Sequence, residues 1–231
     1  MPKEMSATER DAPIYQSFSE LFDNGFELDI GTCVFVISVQ VLSIFFAIWL
    51  FTYAPAPWLF AGIAWIAAHF FLGSISTTLY SHRLITHNAA KHVSAPVHWF
   101  FCAFGQVLSV QGSVRRWSAN HALHHGVDRH GKKELDPYSA TWFADSTRNF
   151  LWSHMVTHLF NHPQSEEYDR SHAAKRHAII MWQDKWYGLL TTFWIFLFPM
   201  GLGFALGGWV GLFALMAASL VSTVLVQHNT W

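Results

Sequence analysis

Residues 31–53 read GTCVFVISVQVLSIFFAIWLFTY, twenty-three consecutive positions without a single charge. About twenty apolar residues in a row suffice to cross a bilayer as a helix, so this stretch decides the environment of the whole chain. Ala54-Pro55-Ala56-Pro57 interrupts it, because proline cannot continue a helix. A second uncharged stretch then runs from Trp58 to about Tyr80. Tyr187 to Val226 is uncharged as well, with Gly201, Gly203, Gly207 and Gly208 marking a turn near its middle. The expected fold is an all-α membrane protein with four transmembrane helices in two hairpins. The apolar run His98 to Val110 is too short to cross and reads as an interfacial or re-entrant segment.

Composition agrees with this reading. Of 231 residues, 52% are hydrophobic, 17% aromatic and only 13% charged, too apolar for an ordinary soluble domain. A net charge of −1 offers no basic surface for nucleic acid. Cys33 and Cys102 both lie in apolar runs, without a metal-binding or redox motif, and read as small buried thiols.

The expected organisation is a cytoplasmic tail over 1–30, a hairpin over 31–80, a cytoplasmic and interfacial helical segment over 81–186, a second hairpin over 187–226 and the start of a further cytoplasmic region at 227–231. The tail carries seven acidic residues against Lys3 and Arg10, the wrong charge for a secretory signal. Within it, Ile14 to Phe22 reads as a short amphipathic helix, lying on the membrane or simply solvated. Orientation follows from the basic residues, since Arg83, Lys91, Arg115, Arg116, Arg129, Lys132, Lys133, Arg148, Arg170, Lys175, Arg176 and Lys185 all fall between the second and third spans. Cytoplasmic loops retain Lys and Arg, so the middle segment is expected on the cytoplasmic face.

That segment holds the chemistry. His121-Ala-Leu-His124-His125 places three imidazoles at helical spacings of three and four residues, able to converge on one side of a helix. An earlier pair, His82 and His87, stands five residues apart, which on an α-helix is a turn of about 140° and favours two metals over one. Any one of fifteen histidines could be a surface or satisfied core residue, but two clusters in one polar segment point to a dinuclear site. Trp117, four residues before His121, shares its face and either lines the site or anchors the helix.

Other histidines carry weaker signals. His69 lies inside the second span, where an ionisable group is either functional or hydrogen-bonded to a neighbouring helix. His154 and His158 are an i, i+4 pair on a helix expected from Trp142 to Phe160, and His87 with His92 repeats the five-residue spacing. Gly126 to Lys133 has the glycine spacing of a phosphate loop but puts Lys133 where Ser or Thr must hold Mg²⁺, and no strand precedes it. The chain has no Glu-x-x-His, which excludes the carboxylate-rich di-iron site of soluble four-helix proteins, and no His-Glu-x-x-His for a zinc protease. What remains is a nitrogen-ligated pair of metals suited to O₂ activation beside an apolar substrate.

On His82-x-x-x-x-His87, His121-x-x-His124-His125, Asp136-Pro137 and Ser153-His154, the sequence from Gly31 onward resembles the membrane fatty-acid desaturases, most closely the acyl-CoA Δ9 (stearoyl-CoA type) branch. The resemblance implies that His82, His87, His121, His124 and His125 ligate two Fe ions, with O₂ as co-substrate. It also implies that Gln111 and Trp117 line the acyl tunnel, that His154 is no ligand, and that partners are a fatty acyl substrate, acyl-CoA or acyl-lipid, and an electron donor such as ferredoxin or cytochrome b5 with its reductase. The family's Asn-x-x-x-His element and third cluster, His-x-x-His-His, are absent. The expectation is therefore an incomplete desaturase that forms no double bond by itself. A membrane alkane or fatty-acid hydroxylase is the rival enzyme, and a histidine-rich metal transporter the rival outside enzymes. The transporter needs ligands at mid-membrane, where His69 stands alone, and a b-type haem protein meets the same objection.

Overall fold

The computed structural model describes residues 15–130, 136, 138–161 and 177–230, with side chains left out over 126–130. It is helical almost throughout, and three helices are long and apolar enough to cross a membrane: Ile30–Tyr53, Ala56–Thr86 and Ala178–Thr230. The chain is an all-α membrane protein with small departures among the described residues, a two-residue antiparallel pairing of β1 (Glu27–Leu28) with β2 (Phe160–Asn161) and an isolated bridge between Tyr15 and Phe143. The chain divides into two compact units, one from residues up to 33 with 119–172, the other from 34–118 with 173–230.

In the larger unit, α2 (Ile30–Tyr53) leads into α3 (Ala56–Ile75), with Pro55 at the N-cap in extended conformation. Leu50 packs against Gly62, where even an added β-carbon would sit 3.0 Å from the leucine side chain. Many large side chains of α2, including Ile30, Val34, Phe45 and Ile48, are more than half exposed. Such a surface suits lipid and not water, since lipid is as apolar as the side chains themselves. The helix of α3 does not stop at Tyr80 as the sequence led us to expect. It continues as a π-helix, π1, over Ser76–Thr86.

The third long helix is composite: α8 (Ala178–Thr191), a π-helical stretch π3 (Thr192–Leu197) and α9 (Phe198–Thr230). It is broken at Gly207 and at Gly208, where φ is 57° and ψ −143°, a conformation open in practice to glycine alone. The chain folds back there. The Ser219 hydroxyl donates to the Ile195 carbonyl at 2.8 Å across the turn, while Gly203 and Gly211 approach backbone to backbone. Small residues Ala214, Ala217 and Ala218 then let Trp58 and Leu50 close on α9.

The run His98 to Val110 forms α4 (Ala95–Phe100), π2 (Phe101–Gly105) and α5 (Gln106–Ser109), ended by Val110 in the left-handed conformation. Leu108 lies against α3, where its carbonyl accepts a hydrogen bond from His69.

The smaller unit has an aromatic core of Tyr15, Leu21, Phe26, Trp142, Phe143 and Trp152, with the two indoles stacked at 5.3 Å. This corrects two expectations. The amphipathic helix expected over Ile14 to Phe22 is only α1 (Ser19–Asp23), and its Leu21 packs inside this core instead of facing a membrane. Ile14 and the rest of the tail before it lie outside the described residues. The helix expected from Trp142 to Phe160 is α7 (Ser146–His154), capped by Asp145, followed after Met155 (φ −137°) by a 3₁₀ turn over Val156–Leu159. Burial of Trp142 and Phe143 in the core takes them out of the helical path.

Candidate metal centre

His82 lies within π1 and His87 at its C-cap. In π1 the backbone bonds run from residue i to i+5, and the His87 N–H donates to the His82 carbonyl at 3.0 Å. A residue in such a turn stands over its fifth neighbour. The two imidazoles accordingly meet, with ring centroids 4.7 Å apart. The sequence reading, which assumed α-helical geometry and put them about 140° apart, is corrected here: the five-residue spacing brings both rings to one side of the helix.

The second cluster lies on α6 (Val114–His130). Its helix includes Gly126 to His130, the first five of the eight residues of the phosphate-loop look-alike, while Gly131 to Lys133 lie outside the described residues. One turn apart, His121 and His125 bring their Nε2 atoms to 3.0 Å. His124 points elsewhere: its Nδ1 hydrogen bonds to Asp136 Oδ1 at 2.8 Å, with its ring edge-on to Tyr138. A carboxylate on Nδ1 fixes a histidine's tautomer and leaves Nε2 as the donor toward a metal. The donor set is therefore imidazole nitrogens, a set that fits a borderline transition metal such as iron, zinc or copper.

The remaining histidines sort by surroundings. His69 is 3% exposed, and its Nε2 donates to the Leu108 carbonyl at 2.9 Å, the hydrogen-bonded role of the two considered, while its buried Nδ1 has no partner. His154 ends α7 with its ring stacked on Phe150, whereas His158 sits on the following 3₁₀ turn beside Tyr138. The helix break after His154 puts the two residues on different elements. Burial, reinforced by His154, pushes the His158 pKa down to about 3, and burial pushes that of Tyr138 up.

No family model matches the chain, but curated proteins do. It is 29% identical over 204 residues to an sn-2 palmitoyl-lipid 9-desaturase of Nostoc sp., covering 84% of this chain and 63% of that protein. An acyl-CoA desaturase of Cyprinus carpio is 26% identical over 206 residues, 86% of this chain and 57% of the relative. An sn-1 stearoyl-lipid 9-desaturase of Synechocystis sp. is 30% identical over 181 residues, 75% and 49%. The chain is similar to fatty-acid desaturases. It spans less than two thirds of the length of these proteins.

The two positions expected to line an acyl tunnel are joined. The buried Trp117 donates its indole N–H to Gln111 Oε1 at 3.2 Å, and the Gln111 amide donates to the Thr230 hydroxyl at the end of α9. With its N–H so engaged, the indole can turn apolar ring toward a neighbour. Trp117 also neighbours His82, at 6.3 Å between rings.

Sequence reasoning missed Thr230, and it missed the group that holds the start of α6. Tyr187 OH accepts from the Gly112 N–H at 3.0 Å, and Gln183 Oε1 accepts from the Val114 N–H at 3.1 Å. Asp184 accepts from the Ser113 hydroxyl and pairs with Arg115 at 3.0 Å. The first turn of a helix has N–H groups without intrahelical partners, and α8 supplies acceptors for them from outside. The only signal in the sequence was three polar residues, Gln183, Asp184 and Tyr187, beside a long apolar run.

Proposed function

We propose that this chain carries histidines of a dinuclear iron centre of the kind that desaturates a fatty acyl chain at a membrane surface. The observation that carries the reading is the edge-on pair His82 and His87 beside Trp117, on whose helix the His121 and His125 pair follows one turn later. In this reading His82, His87, His121, His124 and His125 are ligands, with Asp136 orienting His124. Bound iron would supply reductive activation of O₂, so that two adjacent methylenes lose two hydrogens while two electrons and two protons from a donor complete the reduction to water. The imidazoles hold the metals. Trp117 gives the alkyl chain an apolar wall, and the Gln111 bridge to Thr230 fixes that wall's angle.

The names of the relatives support a fatty acyl substrate and a double bond at position 9, carried either on CoA or on a membrane lipid. An external electron donor such as ferredoxin or cytochrome b5 belongs to the same proposal. So does the topology of four crossings, supported by the fold-back at Gly208 and the one-sided Lys and Arg distribution. A cysteine placed at Thr147 is then labelled from the cytoplasmic side, and labelling from the other face refutes the topology.

Two measurements test the function. Purified protein is expected to bind iron and to lose most of it in His121→Ala or His87→Ala. Unchanged iron in both variants would overturn the site. Acyl chains from a host lacking its own desaturase, analysed by gas chromatography as separate CoA and lipid pools, identify product and carrier. Hydroxylated chains dependent on His82, in place of monounsaturated ones, would replace this reading with a hydroxylase.

A further inference from the structure

A π-helical turn is rare, since its i to i+5 bonding is seldom the best arrangement for a chain that could adopt an α-helix. Something must hold π1 in this register. Three successive residues at its start, Ser76, Thr77 and Thr78, turn their hydroxyls back onto the carbonyls of Leu72, Gly73 and Ser74, at 2.5, 3.3 and 2.9 Å. Such back-bonding loosens the ordinary ladder without choosing what replaces it.

The choice is made at Ser81. Its hydroxyl donates to Gln106 Oε1 at 2.7 Å, and both side chains are fully buried. Its carbonyl accepts the Thr86 hydroxyl at 2.8 Å, five residues on. Ser81 immediately precedes His82, and Thr86 immediately precedes His87. The serine and threonine thus repeat, one residue earlier, the five-residue step that brings the two imidazoles together.

Gln106 stands at the junction of π2 and α5. The two π-helical stretches pack on one another, with Tyr80 stacked on Phe101 at 4.8 Å and Gly105 so close to Ser76 that a β-carbon there would strike the serine hydroxyl.

We propose that Ser81, Thr86 and Gln106 are positioning residues forming a register lock: Gln106 holds Ser81, Ser81 and Thr86 hold the π-turn, and the turn makes a metal-binding pair of His82 and His87. The metal half of this inference rests on the proposed function. The register half does not. In the α-helical register the two histidines point about 140° apart, and one ion could not take both.

The test uses the full chain in detergent. In a background with Cys33→Ser and Cys102→Ala, the pair His82→Cys and His87→Cys reports the register, because a disulfide needs α-carbons within about 7 Å. Oxidation is expected to close this disulfide readily, as read by peptide mass spectrometry. Adding Ser81→Ala or Gln106→Leu should slow closure at least about tenfold, and Ser81→Thr, which keeps the hydroxyl, should restore it. Should Gln106→Leu fail to fold, Ser81→Ala still decides. Closure at the original rate in Ser81→Ala overturns the lock.

With the histidines in place, Co²⁺ titration should show affinity about tenfold weaker in Ser81→Ala and restored in Ser81→Thr. Slowed disulfide closure with no cobalt binding by the unmodified chain would leave the lock standing and sink the metal reading. Unslowed closure with normal cobalt binding would do the reverse.

Discussion

Replacing Asp136 tests how the second histidine cluster is oriented. Asp136 Oδ1 accepts from two groups, His124 Nδ1 at 2.8 Å and the Tyr138 backbone N–H at 2.9 Å. Loss of a carboxylate behind a metal-binding histidine typically lowers metal affinity about 10- to 100-fold, or about 1.4 to 2.7 kcal/mol. The His124 side chain is 36% exposed and that of Asp136 14%, so solvent screens the pair and the lower end applies, about tenfold. Asp136→Asn keeps an acceptor oxygen for Tyr138 but surrenders the charge, and should weaken metal binding about tenfold with little loss of fold stability. Asp136→Ala also strands the Tyr138 N–H, which costs a further ~1–2 kcal/mol of stability. Competition between the protein and a coloured chelator for Co²⁺ gives the affinity, and thermal unfolding of the metal-free protein gives the stability. Affinity within about twofold of the original in both variants would refute the argument, since an oriented ligand cannot be indifferent to the group that orients it.

Further outcomes are expected. Gln183→Leu leaves the Val114 N–H without its acceptor and should cost about 1–3 kcal/mol, seen as a lower unfolding midpoint. An unchanged midpoint would mean that α8 does not hold the start of α6. Gly208→Ala forces an L-residue to φ 57° and ψ −143° and should cost about 1–3 kcal/mol, measurable as loss of folded protein in detergent, with a silent substitution counting against the turn. His69→Leu should keep its full metal content while losing stability, and loss of metal would return His69 to the list of ligands. Because burial lowers the His158 pKa from its ordinary value near 6.5 to about 3, the folded state holds it neutral while the unfolded chain binds a proton. Stability from this group is full above about pH 6.5 and falls as pH drops toward 3, by at most about 1.4 kcal/mol per pH unit. His158→Phe should flatten that slope over pH 4 to 6, and an unaltered slope would show that another group sets it.

The sequence by itself determined the environment, the long apolar helices and the glycine-rich fold-back, because these depend on local composition: uncharged runs of spanning length, prolines between two of them, and glycines where the chain reverses. It also named the histidines, since metal-binding residue types at short spacing are visible without a fold. What it could not supply was the register. His82 and His87 look misaligned on any α-helix, and only the packing of π1 against π2, through Ser81 and Gln106 from a segment twenty-five residues away in sequence, decides that they face each other. The same holds for Tyr15, Leu21 and Phe26, whose apolar character suited a membrane surface as well as a core until Trp142 and Trp152 came to cover them. The roles of Gln183, Asp184 and Tyr187 were hidden for a related reason: a polar side chain declares its function only when the backbone group it satisfies has been brought beside it, and that group lies some seventy residues earlier in the chain.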